Sequence, residues 1–217
     1  MRGVSKTIVM IQARSTSERL PGKIGMKIGD KSLLQHSIDT CREAHDNVVV
    51  LIPHEDPIKA WLQDYGVPYF EGSEDNVLNR YYQAARAYCK SPNDIICRVT
   101  SDCGPFTPVG VLFHMIHIAE ERGIDFFTNA PCTCGFDIEL FSFKCLDWVN
   151  KTAFTDSQKE HVTEFMLSHG VKMRQMGFVT GVYRMPYDIG LPKLSIDSLA
   201  DLELARKRVK LMEEKQG

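Results

Sequence analysis

A chain of 217 residues suits one large α/β domain or two small ones, and its 26 basic against 28 acidic residues leave a formal charge of −2. That balance excludes a global field drawing the chain onto nucleic acid or a membrane surface. Apolar residues make up 43%, an ordinary share for a globular fold, and no apolar stretch approaches the roughly 20 residues needed to span a bilayer. Seven cysteines without framework spacing point to free thiols and a reducing, cytoplasmic setting.

The predicted elements alternate. The opening apolar run is followed by no small-residue cleavage site, so it reads as a first core strand rather than a leader. That strand, residues 7–13, is β-branched-rich and apolar, as expected when both faces are covered. A helix over 31–45, a buried strand over 47–53, a short helix over 56–66 and a strand over 67–72 come next. A helix over 73–90 opens with capping residues, and a strand over 94–102 ends in an acid. Then come a helix over 108–123, strands over 125–129 and 136–143, and a helix over 157–170. Residues 173–186 read as a hairpin or edge strand, 193–197 as a last short strand, and 198–215 as a terminal helix. Strand–helix alternation predicts a doubly wound, mostly parallel sheet in a three-layer α/β/α domain spanning 1–217.

In such sheets ligands bind beyond the carboxyl ends of the strands, near the switch in strand order. The loop after the first strand, "IQARSTSERLPGK", concentrates Arg14, Arg19 and Lys23 just past Ala13. Arginine presents a planar fork of donors and lysine a compact charge, so this loop suits a polyphosphate. Composition alone allows equally a solvated basic loop paired with Glu18. The spacing is neither that of a P-loop nor that of a glycine-rich dinucleotide turn. Asp102, in "RVTSDCGPFTP", and Asp197, in "KLSIDS", each end a predicted strand. A lone aspartate there also fits a turn or a helix cap. Together the two would suit one magnesium ion, which takes one or two carboxylates and completes its shell with water and phosphate. His114 and His117 lack an acidic or cysteine partner, and Cys132 and Cys134 lack a second pair, so neither set reads as a zinc site. Asp137, Glu139 and His161 are polar groups near predicted sheet ends.

The first loop resembles the I-x-A-R-x-G-S-x-R-L-P-G-K signature of the CMP-sugar synthetases, most closely the spore-coat polysaccharide cytidylyltransferase branch. "GSEDNVLNRYYQAA", "RVTSDCGPFTP", "GFDIELFSF", "KEHVT" and "KLSIDSLADLELAR" resemble that branch's later blocks in the same order, so the likeness covers about residues 7–211. It implies a Rossmann-like nucleotidyltransferase fold. It also implies that CMP is transferred from CTP to an acidic or phosphorylated sugar-like acceptor, with Mg²⁺ and release of pyrophosphate. By motif, Arg14, Arg19 and Lys23, with Ala13, would hold the nucleotide, and Asp102 and Asp197 the metal. Arg14, Lys23 and Asp102 would carry catalysis. Ser73, Asp75 and Arg80 fall in a block that borders the nucleotide, and Asp137, Glu139 and His161 where the acceptor is selected. Relatives of this kind are often homodimers. Thr16 stands where the signature has glycine and Thr107 where an acid is common, and these departures also fit a nucleotide-binding regulatory or scaffold protein without turnover.

Overall fold

The structure, a computed structural model, describes residues 6–131, 135–184 and 193–214. Cys132 and Cys134 therefore lie outside the described residues, as does the far end of the expected 173–186 hairpin. Strand β1 (Thr7–Gln12) is buried along almost its whole length. The basic loop follows, then a single 3-10 turn (Lys23–Gly25) and a small hairpin of β2 (Lys27–Ile28) and β3 (Lys31–Ser32). The Ser32 side chain accepts from the Gln35 N–H and so caps α1 (Leu33–Ala44). Strand β4 (Val48–Pro53) leads to α2 (Ile58–Tyr65), which stops at Gly66 in a left-handed conformation. Strand β5 (Tyr69–Gly72) precedes α3 (Val77–Tyr88), capped by Asn76, and β6 (Ile95–Thr100) precedes α4 (Val109–Arg122). The second half runs β7 (Phe126–Thr128), β8 (Glu139–Ser142), α5 (Phe143–Thr152), α6 (Asp156–Glu160), α7 (Glu164–Ser168) and α8 (Gly170–Gln175). Strand β9 (Thr180–Val182) and α9 (Leu199–Glu214) complete it.

The main sheet has the order β5-β4-β1-β6-β8-β7-β9, and β8 alone runs against the others. This is the doubly wound, mostly parallel arrangement the alternation predicts. Successive residues of β1 serve opposite faces. Val9 and Ile11 pack with α1, α2 and α4, whereas Ile8 and Met10 pack with α3, α5, α7 and α8. A third, smaller cluster lies off the sheet: Leu20 of the basic loop, Ile28, Leu33 and Ile196 pack on Leu202, Ala205 and Val209 of α9.

Two expected elements differ. Residues 157–170 are not one helix, because Val162 turns into the core and the Thr163 hydroxyl donates to the buried Glu139 carboxylate at 2.7 Å. Those inward contacts break the helix after Glu160, and α7 restarts beyond them. Residues 193–197 do not join the sheet. Leu194, Ser195, Ile196 and Asp197 are all buried, but the segment lies across the loop after β6, where Ile196 N–H donates to the Asp102 carbonyl at 2.8 Å.

Glu139 is 5% exposed and pairs with Arg98 of β6 at 2.6 Å, as the register of β6 against β8 requires. Burial lowers the Arg98 pKa, but the facing carboxylate outweighs it and the guanidinium stays charged. Arg98→Met leaves Glu139 buried without its countercharge, so denaturant unfolding is expected to show a loss of about 3–5 kcal/mol. A loss under 1 kcal/mol would show that the pair is not a buried charge pair.

Candidate functional site

Strands β1 and β6 are adjacent and parallel, with Gln12 opposite Thr100. The chain passes from β1 to β4 on one side and later to β6 on the other, so this is the switch point in strand order. The loops leaving β1 and β6 therefore emerge side by side at the carboxyl edge, where a ligand is expected.

The basic loop is held from below. Ala13 N–H continues the ladder to the Leu51 carbonyl at 3.0 Å. Asp56, 5% exposed, accepts from the Ser15 N–H at 2.8 Å, from the Ser15 hydroxyl, and from the Ile58 N–H at the start of α2. Gly22 takes a φ of 71° at the exit, and its N–H donates to the Ser15 carbonyl at 3.1 Å. The loop thus closes on itself and leaves Arg14 and Arg19 exposed. Thr16 is not among the described positive-φ residues, so its backbone does not require the glycine of the resembling signature. Its hydroxyl points outward to Glu74 at 2.6 Å. Thr107 is buried with its hydroxyl on the Gly104 carbonyl, a turn position away from the charged groups.

Lys23 is where the loops meet. Its ammonium lies 2.8 Å from the Ile196 carbonyl, 3.1 Å from Asp197 Oδ1 and 3.5 Å from Asp102 Oδ2. Arg19 adds a second cation to Asp197 Oδ1 at 2.9 Å, and Lys193 approaches Oδ2 at 2.9 Å. Burial pushes the Asp197 carboxyl upward, but hydrogen bonds from Lys193 and Lys23 outweigh it, and its pKa ends below the usual value. A cleft of about 330 Å³ opens here, lined by Gln12, Arg14, Arg19, Lys23, Asp102 and Glu160 among others.

Six of the expected residues, Ala13, Arg14, Arg19, Lys23, Asp102 and Asp197, therefore converge. Ser73 and Asp75 precede α3 on the neighbouring loop, where the Ser73 hydroxyl accepts from the Asn76 N–H. Arg80 is 1% exposed, and its Nε and Nη1 have no hydrogen-bond partner among the described residues. Burial first, and then nearby Arg14, lower its pKa. Gly72 makes room for it: a Cβ there would lie 2.8 Å from Arg80 Cγ. Asp137 accepts from Gly135 N–H, and its charge reaches Cys103 beside Asp102. His161 is exposed at the end of α6. Glu139 departs from the expected substrate contact, because its carboxylate is occupied internally by Arg98 and Thr163.

Three features of the site escape the sequence reading. Glu160 reaches the cleft from beside His161, a position hidden by treating "KEHVT" as continuous helix. Asp56 clamps the loop from 41 residues away, with no local signal. Gln12 Oε1 is buried without a hydrogen-bond partner among the described residues.

A cytidylyltransferase family model matches residues 8–214. The spore coat polysaccharide biosynthesis protein SpsF of Bacillus subtilis is 31% identical over 175 residues, 75% of this chain and 70% of that protein. A solved cytidylyltransferase from Leptospira borgpetersenii superposes with a TM-score of 0.82 at 28% identity, covering 95% of this chain and 87% of the other. A CMP:2-keto-3-deoxy-manno-octonic acid synthetase, solved in complex with CTP, shares the fold with a TM-score of 0.71 at 14% identity, covering 96% of this chain and all of the other.

The segment carrying Asp197 is tied to α9 by Asp201, which accepts from the Asp197 N–H, the Ser198 N–H and hydroxyl, and Lys193. Burial raises its carboxyl pKa, but these donors outweigh that and bring it from 3.8 to about 2. A carboxyl depressed on folding stabilises above its unfolded value and loses that contribution as pH falls toward its folded value. Asp201→Asn is therefore expected to cost about 1 kcal/mol near neutrality, with the gap to wild type closing between about pH 4 and pH 2 in denaturant titrations. A gap independent of pH would rule out the charged form as the source.

Proposed function

The chain belongs to the cytidylyltransferase family and is a nucleotidyltransferase, and on that premise we propose that it transfers CMP from CTP to an acidic or phosphorylated sugar-like acceptor, releasing pyrophosphate with magnesium. The observation that carries this reading is the meeting of Arg19 and Lys23 with Asp102 and Asp197 at the switch point, beside exposed Arg14. Three cations on one pinned loop suit the oxygens of a triphosphate. Likeness to SpsF, a spore coat polysaccharide biosynthesis protein, and to a fold that holds CTP in a solved synthetase supports a nucleotide and a sugar-like acceptor here.

The donor set fits magnesium. Among the described residues no group of three or more His, Cys, Asp or Glu side chains is arranged to hold a metal by protein alone. Asp102 and Asp197 instead supply two carboxylates, already bridged by one ammonium cation. That is the usual protein share for magnesium, whose remaining ligands are water and phosphate oxygens. When bound there, magnesium would neutralise phosphate charge and steady the reacting oxygens.

The protein's own part is positioning and charge neutralisation. An acceptor oxygen attacks the α-phosphorus in line; the new P–O bond forms as the bond to the β-phosphate oxygen breaks, and pyrophosphate leaves with the electron pair. Arg14, Arg19 and Lys23 hold the β- and γ-phosphates and stabilise that leaving charge. Ala13, Ser73, Asp75 and Arg80 border the nucleoside, and the two Arg80 nitrogens without a hydrogen-bond partner among the described residues are donors for it. Asp137 and His161 flank the acceptor, joined by Glu160 from the cleft wall. Glu139 works from beneath as the partner of Arg98.

Asp102→Asn is expected to abolish magnesium-dependent pyrophosphate release from CTP across a panel of sugar acids and sugar phosphates, with unchanged circular dichroism. Wild-type rates in that variant would remove Asp102 from the site. Lys23→Met is expected to weaken CTP binding by about 1.5–3 kcal/mol and CMP binding far less, as measured by calorimetry. Equal losses for both nucleotides would refute contact with the distal phosphates.

A further inference from the structure

We propose that Lys193 is a positioning residue that keeps Asp197 closed to a divalent cation until a nucleotide has bound, an inference that rests on the magnesium–triphosphate reading above. Asp197 has no vacant oxygen. Oδ1 faces Arg19 at 2.9 Å and Lys23 at 3.1 Å, while Oδ2 faces Lys193 at 2.9 Å and accepts from the Ser195 hydroxyl at 3.3 Å. A divalent ion approaching this carboxylate must displace a cation already there, and it does so against the repulsion of the two that stay. Asp102 is the less occupied of the pair, with Lys23 at 3.5 Å and the Cys103 thiol at 3.7 Å.

The three cations on Asp197 are not equivalent. Arg19 and Lys23 belong to the loop that receives the phosphates, so a triphosphate competes with Oδ1 for both of them. Lys193 belongs to the same segment as Asp197, four residues before it, and it is held separately by Asp201 at 3.1 Å. Asp201 in turn is fixed by the backbone N–H groups of Asp197 and Ser198. Among the described residues the Lys193 and Asp201 side chains make no hydrogen bond or ion pair with the basic loop, which meets this segment at Asp197 Oδ1 and, through Lys23, at the Ile196 carbonyl. Nucleotide binding therefore frees Oδ1 and leaves Oδ2 with Lys193. The oxygen so freed lies on the Lys23 and Asp102 side, where Asp197 and Asp102 would hold a divalent cation once the nucleotide has drawn Arg19 and Lys23 away.

The test is Mn²⁺ titration of the purified protein followed by electron paramagnetic resonance, with and without CTP and with no acceptor present. Wild type is expected to bind Mn²⁺ weakly alone and to give a bound signal beyond that of CTP alone when both are present. Lys193→Met, and Lys193→Gln as a second uncharged variant, are expected to bind Mn²⁺ at least tenfold more tightly without nucleotide, whereas Lys193→Arg stays like wild type. A general loss of structure would weaken binding in every variant and would not sort them by charge. Unchanged or weaker nucleotide-free affinity in both uncharged variants overturns the inference alone. Failure of wild type to bind Mn²⁺ even with CTP overturns the metal reading of the preceding subsection, and this inference with it.

Discussion

The Lys23 ammonium is bonded to groups 79, 173 and 174 residues away along the chain: Asp102, the Ile196 carbonyl and Asp197. It joins the loop after β1, the loop after β6 and the segment before α9. Like charges cannot gather at one point without countercharge, so the basic loop needs those carboxylates, and the carboxylates need the loop. The rest of the edge is arranged around that mutual requirement. Asp56 pins the loop from below through Ser15, and the small cluster of Leu20, Ile28, Leu33 and Ile196 on α9 brings the Asp197 segment down beside it.

This arrangement separates two kinds of charge. Arg98 and Glu139 form a pair within the fold, 2.6 Å apart and almost wholly shielded from water, and their work is structural. The groups around Lys23 sit at the rim of an open cleft, where partners can be exchanged for those of a ligand. Arg80 stands between these cases: it is as buried as any core residue, yet two of its nitrogens have no hydrogen-bond partner among the described residues. An orphaned donor of that kind is costly in an unliganded fold and favourable once an acceptor arrives.

The departures of the chain from its family pattern lose much of their weight in three dimensions. Thr16 needs no left-handed backbone, so the side chain is accommodated and turned outward to Glu74. Thr107 closes a turn on the Gly104 carbonyl rather than facing the cleft. Neither substitution removes a charged group from the convergence at Lys23.

What the sequence by itself determined was periodicity and order. The apolar run of β1, the capping residues before α3, the Gly66 stop and the alternation of strands with helices specify a doubly wound sheet from local preferences alone. They place Arg14 and Asp102 at strand ends, and Lys23 in the loop that follows the first strand, before any contact is known. Only the tertiary structure decided which strand ends are neighbours, because the pairing of β1 with β6 depends on burying both faces at once. It took residues 193–197 out of the sheet, drew Thr163 inward to break a predicted helix, closed Glu139 off against Arg98 and brought Glu160 to the cleft. Those choices turn on burial and charge pairing between segments far apart in the chain, and no local pattern encodes them.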